Sequence, residues 1–177
     1  MPMDVALAAA LVRDALFAGA TAALAVAAVT DLRRRIIPNG CALAVAACGL
    51  LAAAPSGVEA LGCSVAGGAV VCAVLLATAA LSARGGGVPG IGGGDVKLLA
   101  AAGLWHGPVG GLAVVALSCL AGVCLWGASR AVSAAMHRLS GNNGVILRPK
   151  TTVRGIPLGP GIALSFVAIA LLGGAAG

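Results

Sequence analysis

Gly92-Gly93-Gly94-Asp95-Val96-Lys97-Leu98 sets a carboxylate and an ammonium behind a run of glycines, at the mouth of an apolar segment that continues to His106-Gly107-Pro108. The chain holds only five acidic residues, so an aspartate placed here calls for a reason. Carrying a charged side chain to the bilayer centre costs roughly 2.5–3.5 kcal/mol on insertion scales, and an ionisable group at a membrane boundary marks a functional site by default. Glycine, without a Cβ, admits unusual backbone angles and the close approach of another chain. The plainer reading makes the glycines a flexible loop and Asp95 an N-cap for the helix that follows.

The surroundings of this stretch are those of a membrane protein. Of the 177 residues, 60% are hydrophobic and 9% charged, whereas a soluble domain carries about 25% charged residues. Too little polar surface exists to clothe a water-soluble globule. The chain is expected to be an all-α polytopic membrane protein, a single transmembrane domain over residues 1–177 embedded in the lipid bilayer. The net charge of +6 raises the question of nucleic acid. However, the basic residues fall in short loops between apolar segments, which is the orientation signal of membrane proteins. No aromatic residues interleave with them to stack on bases, so nucleic acid is not expected as a partner. Cys41, Cys48, Cys63, Cys72, Cys119 and Cys124 all lie inside apolar stretches and form no CxxC pair. Zinc needs clustered ligands at short spacing, so no metal site is expected and the cysteines read as small packing residues.

Upstream, residues 5–30 are apolar apart from Arg13-Asp14 and predict the first spanning helix. A cleaved signal peptide would want its basic region before the apolar core, but here the basic cluster follows it. The helix runs out in Thr30-Asp31-Leu32-Arg33-Arg34-Arg35-Ile36-Ile37-Pro38-Asn39. Pro38 stops helix continuation and biases Ile37 to extended geometry, and Asn39 is placed to cap a second helix over about 40–54. Pro55-Ser56-Gly57 is a turn, and a third helix covers about 58–83. Downstream come a short apolar segment, 96–105, and a longer one, 109–129. Residues 130–155 form the only long polar stretch, with a turn signal at Asn143-Gly144, and a last helix covers about 157–175. Gly67, Gly68, Gly110 and Gly111 are small residues of the kind that let membrane helices approach closely.

The reading of 96–129 decides the topology. If it is one helix, the basic 130–155 stretch lies opposite the Arg33–Arg35 loop. If His106-Gly107-Pro108 is a turn, one face collects Arg33, Arg34, Arg35, Arg84, Lys97, Arg130, Arg138, Arg148, Lys150 and Arg154, leaving out only Arg13 of the eleven basic residues. Lys and Arg accumulate in cytoplasmic loops, so the turn is expected. It gives about six transmembrane helices, both termini outside, and cytoplasmic loops at about 31–39, 84–97 and 130–156.

That topology brings Asp31 and Asp95 to the same face at similar depth. Two neighbouring carboxylates cannot both ionise cheaply, so one keeps a proton while the other stays charged. Such a pair can activate a water and donate to a carbonyl oxygen without a metal. The alternative is two unrelated aspartates, each capping a helix or pairing with a nearby Arg.

At this point a resemblance enters. Gly92-x-Gly94-Asp95-x-Lys97-Leu98 resembles the GxGDxKL signature of the type IV prepilin peptidases, polytopic GxGD aspartyl proteases. Asp31 with Arg35-x-Ile37-Pro38-Asn39 is similar to their other aspartate motif, D followed by R-x-x-P-N. Ile156-Pro157-Leu158-Gly159-Pro160 is similar to the IP-x-GP segment at the start of their last helix. The resemblance implies that Asp31 and Asp95 are the catalytic pair of a prepilin leader peptidase with no cofactor, supported by Gly92, Gly94, Lys97, Pro38 and Asn39. It implies a pilin or pseudopilin precursor as substrate, with a short basic leader before an apolar helix. Cleavage is then expected at the cytoplasmic face of the bacterial inner membrane. Longer members carry an N-terminal region with paired CxxC motifs associated with N-methylation. This sequence shows none and resembles the short, peptidase-only members found in tight-adherence (Flp) pilus systems, so methyl transfer is not expected.

Lys97 could act on Asp95 or hold the start of its helix. His106 and His137 read as structural or solvated, and Pro157 and Pro160 as shaping the start of the last helix. The rival class is a non-enzymatic membrane protein, a small transporter or an assembly scaffold. Transporters also place ionisable groups near broken helices, but here the acids sit at one face and no inverted repeat is visible.

Overall fold

The computed structural model describes residues 3–84, 92–139 and 158–174. Every described element is helical: α1 (Met3–Arg34), α2 (Asn39–Ala53), a 3₁₀ turn (Ala54–Ser56), α3 (Val58–Arg84), α4 (Gly93–Leu139) and α5 (Gly159–Gly174). Long runs of Ala, Leu and Val leave no polar side chains to satisfy backbone groups in lipid, so the backbone satisfies itself as helix. Four of these helices are long and apolar enough to cross a membrane, and Gly159–Gly173 is a shorter apolar helix.

α4 is not one rod. Gly107 has φ +68° and ψ −172°, and Pro108 behind it has no N–H to offer a helical ladder. The chain doubles back at this point. A Cβ built on Gly111 would lie 3.0 Å from the Gly103 Cα, although eight residues of straight helix separate two Cα atoms by about 12 Å. The first arm therefore runs away from Asp95 and the second returns towards its level. α5 lies along both arms: Phe166 packs on Trp105 and His106 of the first, and Gly161 on Ser118 and Ala121 of the second. The expected turn at His106-Gly107-Pro108 is thus present.

The helix ends depart from expectation in three places. α1 continues past residue 30 to Arg34, so Asp31 stands within its last turn rather than after it. Arg33 and Arg34 suit a helix C-terminus, where cations meet the negative end of the dipole, and Arg35 ends the helix at φ +56°. Pro38, not Asn39, occupies the N-cap position of α2, and no side chain caps that end. The second arm of α4 runs on to Leu139 instead of stopping near 129. Ala131, Ala134, Ala135 and Met136 are strong helix formers and outweigh the charges that made this segment look like loop. Residues 85–91 and 140–157 lie outside the described residues, and with them Arg148, Lys150, Arg154, Ile156, Pro157 and the Asn143-Gly144 turn.

Packing between α3 and α4 rests on glycine. A Cβ on Gly67 would meet the Gly103 carbonyl oxygen and come within 2.6 Å of the Gly107 carbonyl carbon, and one on Gly68 would lie 2.8 Å from Leu104 Cδ2. The Ser64 hydroxyl adds a hydrogen bond to the Leu104 carbonyl at 2.5 Å. Leu24, Val45, Leu98, Val114, Ile162 and Phe166 are fully buried, while Leu11, Leu43, Leu120 and Leu171 point outward. An apolar exterior of this kind suits lipid rather than water. All six cysteines are free. Cys63, Cys119 and Cys124 are exposed on that exterior, not packed inside as expected.

Candidate active site

Asp31 is buried, at 8% exposure, in the last turn of α1. The Gly159 backbone N–H donates to its Oδ2 at 2.9 Å. Gly159 opens α5, where backbone N–H groups lack helical partners and the dipole favours negative charge. The contact requires glycine: a Cβ there would stand 2.9 Å from Asp31 Cβ and 3.2 Å from Ala28 Cα. The sequence placed Gly159 in a matched motif but gave it no contact with an aspartate, because nothing within the segment says which helix its start will touch.

Asp95 is half-buried in the first turn of α4. Its carboxylate accepts a hydrogen bond from the Gly92 backbone, reaching back as the second residue of a capping box does. Asp95 therefore helps to satisfy the helix start from inside the helix, not from the N-cap position. Its carboxylate also feels the charge of Asp31, so the end of α1 and the start of α4 bring the two acids within electrostatic reach. The glycines around it differ. A Cβ on Gly92 would lie 3.0 Å from Asp95 Oδ2, and one on Gly94 would lie 3.0 Å from Ile37 Cβ, whereas Gly93 has nothing within 4 Å. Gly94 thus lets the segment after α1 press against the start of α4.

Lys97 donates through Nζ to Asn39 Oδ1 at 3.1 Å, fastening the first turn of α4 to the first turn of α2. The sequence offers Lys97 two uses, on Asp95 or at the start of its helix. In the structure its Nζ bonds Asn39, whose side chain takes this bond while Pro38 holds the N-cap position of α2. Pro38 holds the extended geometry between them, at φ −64° and ψ 133°. The two aspartate motifs therefore meet at Ile37 with Gly94 and at Asn39 with Lys97, with Asp31 and Asp95 in electrostatic reach of each other. His106 lies at the far end of the first arm, against Phe166 with ring centroids 4.8 Å apart. The His137 side chain lies outside the described residues. Among the described residues, no group of three or more His, Cys, Asp or Glu is placed to hold a metal ion.

Four apolar helices of spanning length, with Asp31 and Asp95 in electrostatic reach of each other, define a multi-pass membrane protein. The chain belongs to the type IV leader peptidase family, whose model matches residues 18–127. The matched stretch contains Asp31, Asp95 and the reversal at Gly107, and stops before α5. No curated protein and no solved structure matches the chain. Membership supports a peptidase of the leader-peptidase kind, acting on a protein substrate such as a prepilin-like precursor.

Proposed function

We propose that this chain is a membrane aspartyl endopeptidase that removes the basic leader of type IV pilin-like precursors at the cytoplasmic face of the bacterial inner membrane. Asp31 and Asp95 are its catalytic pair. Six spans, made by α1, α2, α3, the two arms of α4 and α5, form one domain over residues 1–177, with both termini outside and the loops at about 31–39, 84–97 and 130–156 in the cytoplasm.

The chemistry follows from two carboxylates sharing one proton. A water held between them gives its proton to the charged carboxylate and attacks the scissile carbonyl carbon, while the protonated partner donates to the carbonyl oxygen. Collapse of the tetrahedral adduct breaks the C–N bond, and the departing nitrogen takes up a proton. Lys97 and Asn39 keep the starts of α4 and α2 together around the pair. Gly92, Gly94 and Gly159 allow the backbone to close on it.

The observation that carries this reading is that Asp95 feels the charge of Asp31, each acid lying against a motif glycine, in a chain of the type IV leader peptidase family. The test is incubation of the purified protein with a precursor bearing a short basic leader ahead of an apolar helix, with mass spectrometry of the products. Release of the intact leader by a single cut is expected. An uncut precursor, under conditions where the protein stays folded, would reject the peptidase reading.

A further inference from the structure

Beside the carboxylate pair, the start of α2 and the first arm of α4 leave a groove that the proteolytic chemistry does not use. It has a volume of about 410 Å³ and is lined by Asn39, Gly40, Ala42, Leu43 and Lys97. Asn39 and Lys97 bond each other within it, Nζ to Oδ1 at 3.1 Å. The rest is apolar: Ala42 is buried and Leu43 is 70% exposed. The groove is open because position 40 has no side chain; a Cβ built on Gly40 would meet nothing within 4 Å. From here α2 continues as an apolar helix of spanning length, so the groove lies on the bilayer side of the pair.

Lys97 follows Asp95 by two residues on the first arm, about 200° around the helix and about 3 Å along it. The groove and Asp95 therefore stand on opposite sides of the arm's first turn. A helix is about 10 Å across and an extended chain advances about 3.3 Å per residue, so about three residues of a substrate connect them. The way leads over Gly93, where an added Cβ would also meet nothing within 4 Å. The charge in the lining decides which part of a precursor arrives. Lys97 contributes an ammonium, and no carboxylate lines the groove. Like charges brought together are penalised, which turns a basic leader away, while an apolar side chain gains by burial.

We propose that this groove is a specificity subsite that takes an apolar side chain of the precursor about three residues after the cut. The leader then points to the water and the apolar helix behind the cut follows α2 into the bilayer. Gly40 provides the room, and Leu43 the contact. The inference rests on the peptidase reading of Asp31 and Asp95.

The experiment has two readouts, one of which needs no cleavage. Precursors with a single cysteine at successive positions after the cut are oxidised with the full-length Leu43→Cys protein in vesicles, and mass spectrometry identifies the thiol engaged. Cross-linking through position 43 should peak about three positions after the cut and exceed that through the exposed Cys63, Cys119 and Cys124. Cross-linking spread equally over these sites would overturn the proposal. For cleavage, Gly40→Leu fills the groove without a clash. It should raise KM about tenfold for a precursor with leucine at that position, with kcat little changed. A precursor with alanine there should be cut alike by both proteins. An unchanged KM for the leucine precursor would mean that lipid occupies the groove, and would overturn the proposal while leaving the peptidase reading intact. Cross-linking at position 43 without any cleavage by the wild type would support the groove and reject the catalysis.

Discussion

Each aspartate meets its neighbours through a glycine, and the glycines differ in how much room they leave. At Gly159 an added Cβ would press on Asp31 Cβ at 2.9 Å and on the α1 backbone, and at Gly94 on Ile37 Cβ at 3.0 Å, whereas Gly93 faces open space. Forcing extra methyl groups into packed sites costs about 1–3 kcal/mol. Gly159→Ala is therefore expected to lower cleavage by about tenfold or more by displacing Asp31, and Gly94→Ala by a smaller factor. Gly93→Ala should leave cleavage close to wild type. Cleavage rates of the purified variants, with circular dichroism to establish folding, make the comparison; equal losses at Gly93 and Gly159 would contradict it. Asp31 and Asp95 stand out as candidates in the sequence, because acids are scarce in an apolar chain and these two lie beside glycines and prolines. The Gly159 contact does not, because it depends on where α5 starts relative to α1. Nor does the Lys97–Asn39 bond, since either residue could equally have served its own helix.

At the scale of elements, the reversal of α4 sets how its two arms pack against α3 and α5. Its sequence signal was a Gly-Pro step, which both permits positive φ and interrupts the hydrogen-bond ladder, and the observed Gly107 φ of +68° uses that freedom. A side chain in this region costs roughly 1–2 kcal/mol, so Gly107→Ala should lower thermal stability in detergent by about that amount. Gly67→Leu should be worse, because its side chain would have to enter space held by the Gly103 and Gly107 backbone. Loss of folded protein, seen as aggregation on size-exclusion chromatography, is the expected result. A Gly67→Leu protein as stable as wild type would mean that α3 and α4 do not depend on this contact. Helix ends were harder to read than helix existence. Charges at 31–34 and 130–139 suggested loops, but a basic last turn at the first and an alanine-rich run at the second favour continued helix.

For the molecule as a whole, composition was decisive for class. Nine per cent charged residues cannot clothe a soluble surface, and the outward-facing leucines and valines bear this out. Orientation rests on the distribution of Lys and Arg. Reporter fusions after Gly57 and after Ser140 should report opposite compartments, and the same compartment for both would contradict six spans. The central claim is that the bundle exists to hold Asp31 and Asp95 as one catalytic unit. It is tested most directly by cleavage of a basic-leader precursor with reconstituted wild type, Asp31→Asn, Asp95→Asn and the double variant. Asn keeps the size and hydrogen bonding of Asp but removes its charge and titrating proton. Groups that act as a unit are non-additive, so each single change should abolish cleavage and the double variant should be little worse than either. Near-normal cleavage by Asp31→Asn would contradict the account.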